Sequence, residues 1–153
     1  MPYAMTVQDA PDAGRNTRIE RGFGLDTTHL CRAMLDLGMA HASPVPQFPD
    51  GDHLDRSDFR DGEAVTYRAR AYVQALELVR VDHGSHGDDW LPGIPVHKLA
   101  SGDDWHVTAQ ECTEALAAYE SATGSGALHP AAFADDLVPF LRTAARHGGF
   151  RVH

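Results

Sequence analysis

Apolar positions along this chain follow two periodicities, one near 3.6 residues and one of 2, and the change from one to the other divides it into elements. Leu30, Met34 and Leu37 recur at helical spacing behind Gly22-Phe23-Gly24-Leu25, with Asp26 or Thr27 placed as the cap, until Gly38 and the prolines Pro44, Pro46 and Pro49 stop the run. Val65, Ala69, Tyr72, Val73, Leu76 and Val79 predict a second helix over 62–81, although its tail from Leu76 to Val81 also alternates like a strand. Ala109, Cys112, Leu116 and Tyr119 share a third helical face, opposite Glu111, Glu114 and Glu120, and Thr108 stands three residues before Glu111 in the spacing of a capping box. A fourth face holds Phe133, Leu137, Phe140, Leu141 and Ala144. Asp135 or Asp136 is placed to cap that helix, Pro139 falls in its first turn, and Gly148-Gly149 gives a left-handed stop.

Period 2 is shorter-lived. Val96 to Leu99 and Trp105 to Val107 flank the turn Ser101 to Asp104 and predict a hairpin over about 94–107, and Phe150 to His153 predicts a closing strand over about 150–153. The fold class that follows is α+β, three or four helices packed on a small antiparallel sheet. Residues 1–20 show neither period and read as an N-terminal arm, flexible or held by a partner, ahead of a single domain over 21–153. Between the first two helices, residues 42–62 carry Asp50, Asp52, Asp55, Asp58 and Asp61. Their spacing lacks the glycine and glutamate of a calcium-binding EF-hand loop, so they read as a solvated loop with capping aspartates.

Composition then narrows the partners. A formal net charge of −9 argues against sequence-independent nucleic-acid binding, which needs a concentrated cationic face. Residues 1–18 lack the basic start and apolar run of a signal peptide, and no stretch approaches the roughly 20 apolar residues of a membrane span. Cys31 and Cys112 both fall on apolar helical faces, as reduced core residues do, and the reading is a cytoplasmic protein. One lysine, Lys98, against 12 arginines, with a single asparagine, points to a GC-rich coding sequence, bacterial or phage.

Chemistry-bearing residues gather in two places. His83-x-x-His86 followed by Asp88 and Asp89 is the divalent-metal candidate, since imidazole and carboxylate are ligands for zinc and its neighbours. Trp90, His97, Trp105, His106, Arg151 and His153 are the candidate binding residues, the histidines as groups that titrate near neutrality and the two indoles as stacking walls for a small ligand. Both tryptophans close the same tetrapeptide, Gly87-Asp88-Asp89-Trp90 and Gly102-Asp103-Asp104-Trp105. No nucleophile elbow, His-Glu-x-x-His helix, Cys-x-x-Cys pair or phosphate-binding loop occurs, so no catalytic residue and no cofactor are assigned. The function these features favour is a non-enzymatic, acidic protein-interaction module with a protein partner or a second copy of itself. The alternatives are a small metal-dependent or histidine-based enzyme, and a small-ligand binder using Trp90 and Trp105.

Gly93-Ile94-Pro95-Val96-His97-Lys98, Trp105-His106-Val107-Thr108 and the ending Phe140-Leu141-Arg142 to His147-Gly148-Gly149-Phe150-Arg151-Val152-His153 resemble a group of uncharacterised small actinobacterial and actinophage proteins. The resemblance covers roughly the last 60 residues and implies a hairpin, helix, helix, strand module without an activity. Where that group reads Asn-Asp-Gly-Trp at the turn, this chain has Gly102-Asp103-Asp104-Trp105.

Overall fold

A computed structural model of the chain describes residues 4–9, 18–20, 27–85, 87–126 and 133–153. The described residues form five α-helices with small, mainly antiparallel sheets, an α+β fold, and divide into two compact units, Val45–Asp82 and the remainder. The larger unit holds β1 (Ala4–Val7), β2 (Arg18–Glu20), α1 (Thr27–Asp36) and β3 (Ala40–His41) from the N-terminal side. The smaller unit holds β4 (Phe59–Arg60), β5 (Glu63–Ala64) and α2 (Tyr67–Val81). Returning to the larger unit, the chain adds β6 (Ile94–Pro95), α3 (Val96–Ala100), β7 (Trp105–Val107), α4 (Ala109–Gly124), α5 (Val138–Arg146) and β8 (Phe150–Val152).

The main sheet has the order β2-β1-β8-β7, antiparallel throughout. Register makes the period of 2 visible across three strands. Met5, Val152 and Trp105 form one cross-strand row and Val7, Phe150 and Val107 the next, all buried, while Thr6, Arg151 and His106 form a row on the opposite face. The C-terminal strand is therefore central, as its apolar alternation demands, and Ala4–Val7, read above as part of an arm, is its neighbour. Their hydrogen bonds include the reciprocal pair Ala4 N to His153 O at 3.1 Å and His153 N to Ala4 O at 2.8 Å.

One expected element is absent. Residues 94–107 do not form a hairpin: Ile94–Pro95 pairs in parallel with Ala40–His41, Val96–Ala100 is a short helix, and Trp105–Val107 turns away to pair with β8. Pro95, extended at φ −60° and ψ 127°, ends the short strand and stands immediately before the first helical residue. The two apolar residues of Val96-His97-Lys98-Leu99 lie three apart, and as one turn of helix the segment buries His97, Lys98 and Leu99 together.

Elsewhere the periodicities hold. Leu30 and Met34 are buried on α1 and Leu37 just past its end, and the candidate cap at Asp26 lies outside the described residues. Thr108 and Glu111 form the capping box of α4, with Glu111 N to Thr108 Oγ1 at 3.2 Å and Thr108 N to Glu111 Oε1 at 2.8 Å. In α5, Pro139 lies in the first turn, and a π-helical turn over Phe133–Leu137 leads into it. Gly149 has φ +80°, and a Cβ there would lie 2.0 Å from the carbonyl oxygen of Val107, so only glycine fits between α5 and β8.

In the smaller unit α2 starts at Tyr67, later than its apolar spacing suggests, because Asp61 and Gly62, at φ 53° and 83°, close a tight hairpin between β4 and β5. Asp58 anchors this unit. Its buried carboxylate accepts a forked pair from Arg68, Nε and Nη2 both at 2.8 Å, together with Thr66 Oγ1 and the Asp55 amide. The Arg68 hydrogen bonds hold the Asp58 carboxyl well below the usual carboxylate range. Asp55 caps the 3-10 turn Arg56–Asp58, so the acid-rich loop does contain a capping aspartate.

Asp104 occupies the left-handed region at φ +64°. Asp104→Gly is expected to exceed Asp104→Ala in stability by about 1 kcal/mol, since only glycine relieves the Cβ clash. Urea denaturation of the two variants measures the difference, and equal midpoints would show that the turn relaxes to accept alanine.

Candidate functional site

Lys98, the only lysine, has no solvent exposure. Helix α3 directs it inward, where Nζ donates to the His106 carbonyl at 2.8 Å and to both Glu111 oxygens at 2.8 and 3.1 Å. Glu111 sits at the third position of α4 because the capping box puts it there, and it too has no exposure. Besides Lys98 and the Thr108 amide, its carboxylate faces His83 Nδ1 at 2.6 Å. The other ring nitrogen of His83 faces the Leu91 carbonyl at 2.7 Å. Both ring nitrogens of His83 therefore lie against protein acceptors.

The flat faces of His83 are also occupied. Trp90 stacks on it with ring centres 3.7 Å apart and planes 6° from parallel, the geometry in which an aromatic face attracts a cation. His41, from β3, tilts against it at 4.8 Å. One turn beyond Glu111, Glu114 accepts from Trp90 Nε1 at 2.9 Å and from the Gly93 amide at 2.8 Å, and Ser85 Oγ accepts from the Leu91 amide at 3.0 Å. Two carboxylates on successive turns of α4 thus fasten the segment from His83 to Gly93, and Lys98 stands against the first of them.

This arrangement corrects several site expectations. His83 has neither ring nitrogen left to ligate a metal, Asp88 and Asp89 are exposed in a 3-10 turn, and His86 lies outside the described residues. Among the described residues no three His, Cys, Asp or Glu side chains come together in a geometry that could hold a metal ion. Trp105 has no exposure, its Nε1 donates to Ser101 Oγ at 3.0 Å, and its ring meets His97 edge-on at 4.9 Å, so it is no open stacking wall. The repeated tetrapeptide folds in two ways. Gly87–Asp89 is a 3-10 turn, while Asp104 turns left-handed into β7.

His97 and His106 do not meet: His97 packs on Trp105, whose side chain leaves β7 on the face opposite His106. His97 Nδ1 lies 2.7 Å from Ser43 Oγ, which also accepts from the His97 amide at 3.2 Å and so ties the start of α3 to the segment after β3. His106 Nε2 bonds the Gly148 carbonyl at 2.7 Å. Arg151 and His153 do converge, both on Asp104, through its carbonyl at 3.1 Å and its carboxylate at 3.4 Å. Burial holds both cysteine thiols above their ordinary range, Cys112 far above, so neither is a thiolate nucleophile at neutral pH. Sequence reasoning missed Lys98, Glu111, Glu114 and His41. The signals available were the lone lysine of the chain and the capping-box glutamate.

Lys98→Met leaves the Glu111 charge buried without its ammonium and is expected to cost about 3 kcal/mol in urea denaturation. A loss below 1 kcal/mol would mean that His83 alone can hold the carboxylate. Acid should act through His41, whose pKa burial lowers, with the charge of His83 acting in the same direction. A histidine with a depressed folded pKa contributes stability fully above the unfolded value of about 6.5 and loses it as pH falls below that. Denaturation midpoints are therefore expected to drop from pH 7 to pH 5 and to drop less in His41→Gln; equal slopes would remove His41 from the account.

No protein-family model, curated protein or solved structure matches this chain, so the reading of the site rests on its own geometry.

Proposed function

We propose that this protein works by binding another protein, as a non-enzymatic, acidic, cytoplasmic interaction module. The observation that carries the reading is where its exposed apolar side chains lie. Of the eight large hydrophobic residues exposed among the described residues, six (Val45, Phe48, Val65, Tyr67, Val73 and Leu78) belong to the small unit Val45–Asp82. A scatter of single exposed residues needs no explanation, but a concentration of this kind marks a contact surface. Helix α2 gives it an axis. Tyr67, Ala71, Gln74 and Leu78 recur at helical spacing, all exposed and all uncharged, along about 16 Å of helix. Tyr67 is 87% exposed and Leu78 71%, an arrangement of apolar anchors suited to a partner's groove or to the same helix of a second copy.

The interior of the larger unit favours the same reading over a histidine-based or metal-dependent enzyme. His83, His97 and His106 are each engaged by neighbouring protein groups, as are Trp90, Trp105 and Glu111. The resemblance of the C-terminal part to actinobacterial and actinophage proteins makes a bacterial protein the partner to seek.

Affinity capture on the purified protein from a GC-rich bacterial lysate, with light scattering on the protein alone, tests the module. A stoichiometric partner or a homo-oligomer is expected, lost or weakened at least about tenfold in the double variant Tyr67→Asp, Leu78→Asp, since burying a charge among apolar anchors is costly. No partner, together with a lone monomer, would end this reading.

A further inference from the structure

On the larger unit, α4 and α5 leave an open trough of about 530 Å³ between them. Leu116 and Ala117 of α4 and Ala145 of α5 make its apolar floor, and Arg142 and Arg146, one helical turn apart on α5, stand over it. Glu120 is the one carboxylate on its lining, and it meets Arg142 only at 3.9 Å, with both side chains more than half exposed. Such a pair is worth little, because water screens it and two long side chains must be held still to make it. Among the described residues, Arg146 Nε bonds a backbone carbonyl of its own helix, that of Arg142, at 3.3 Å.

We infer that this trough docks an acidic amphipathic helix of a partner protein, a more specific partner class that rests on the interaction reading above but uses a different surface. Three features of the trough select the occupant. The apolar floor requires apolar side chains on the incoming face. The two guanidiniums, separated by one turn, match two carboxylates separated by one turn on a facing helix, each fork accepting a bidentate partner. The trough is open to solvent, so it would leave a small amphiphile largely in water, unlike the enclosed sites that bury most of a small ligand, whereas a helix laid over it needs only one face covered. The chain's net charge of −9 does not oppose this at contact. Charges more than about 8 Å away are largely screened at physiological salt, and the lining itself presents two cations against one anion.

A displayed library of randomised 16-residue peptides selected on the immobilised full-length protein, followed by anisotropy titration of the enriched peptides as fluorescein conjugates, tests the assignment. Enriched peptides are expected to carry apolar residues at helical spacing with carboxylates one turn apart. They are expected to bind the double variant R142E/R146E at least about tenfold more weakly, two rim charges being reversed. Exchanging the peptide carboxylates for lysines should restore binding to that variant, a recovery that misfolding cannot mimic. Peptides insensitive to R142E/R146E but sensitive to L78K would overturn the trough assignment and leave the interaction reading standing. An absence of any binder, or loss of a homo-oligomer as the sole effect of R142E/R146E, would also overturn it.

Discussion

The larger unit depends on one buried charge pair, Lys98 with Glu111. Neither residue has solvent exposure, and each takes the other's charge at 2.8 Å. Pairs of this kind add little net stability, because removing two ions from water offsets most of their attraction. Their effect falls on the alternatives. Any packing that buried one without the other would strand a lone charge, so the short helix α3 and the start of α4 are held to a single relation. Glu111 multiplies the constraint. It closes the α4 capping box, binds Lys98 and accepts from His83, joining the β7–α4 corner, α3 and the segment after His83 at one carboxylate.

From that carboxylate the network spreads along α4. Glu114, one turn further on, receives Trp90 and the Gly93 amide, and Trp90 in turn lies flat on His83. The loop that looked richest in ligands is in this way drawn down as a lid on the network. His83, Trp90, Lys98 and Glu111 are held by neighbouring protein groups in this network, and most of the exposed large hydrophobic side chains among the described residues lie on the smaller unit. The smaller unit uses the same device on a reduced scale: buried Asp58 gathers Arg68, Thr66 and an amide around one carboxylate.

Much of this was legible in the chain because it is local. Capping of α4 by Thr108 and Glu111, the apolar face of α1, the place of Pro139 in α5 and the left-handed stop at Gly149 each depend on residues within a few positions of one another. The β-strand Phe150–Val152 was legible too, since alternation over three residues suffices once a glycine pair precedes it. The site was much less so. Glu111 was read as the capping partner of Thr108, opposite the apolar face of α4, whereas Lys98 and His83 from elsewhere in the chain meet its carboxylate in the interior.

By itself, then, the sequence determined the class of fold, the start of α4 and the stops of α1, α2 and α5, because caps, prolines, glycines and periodicity act over one or two turns. Only the tertiary structure decided that Val96–Ala100 coils instead of pairing, that Ala4–Val7 joins the C-terminal strand, and that a repeated tetrapeptide takes two shapes. Those choices turn on partners 13 to nearly 150 residues away, among them the Glu111 charge that draws Lys98 inward and the free edge of β8 that receives β1. No local pattern encodes a contact whose other half lies so far along the chain.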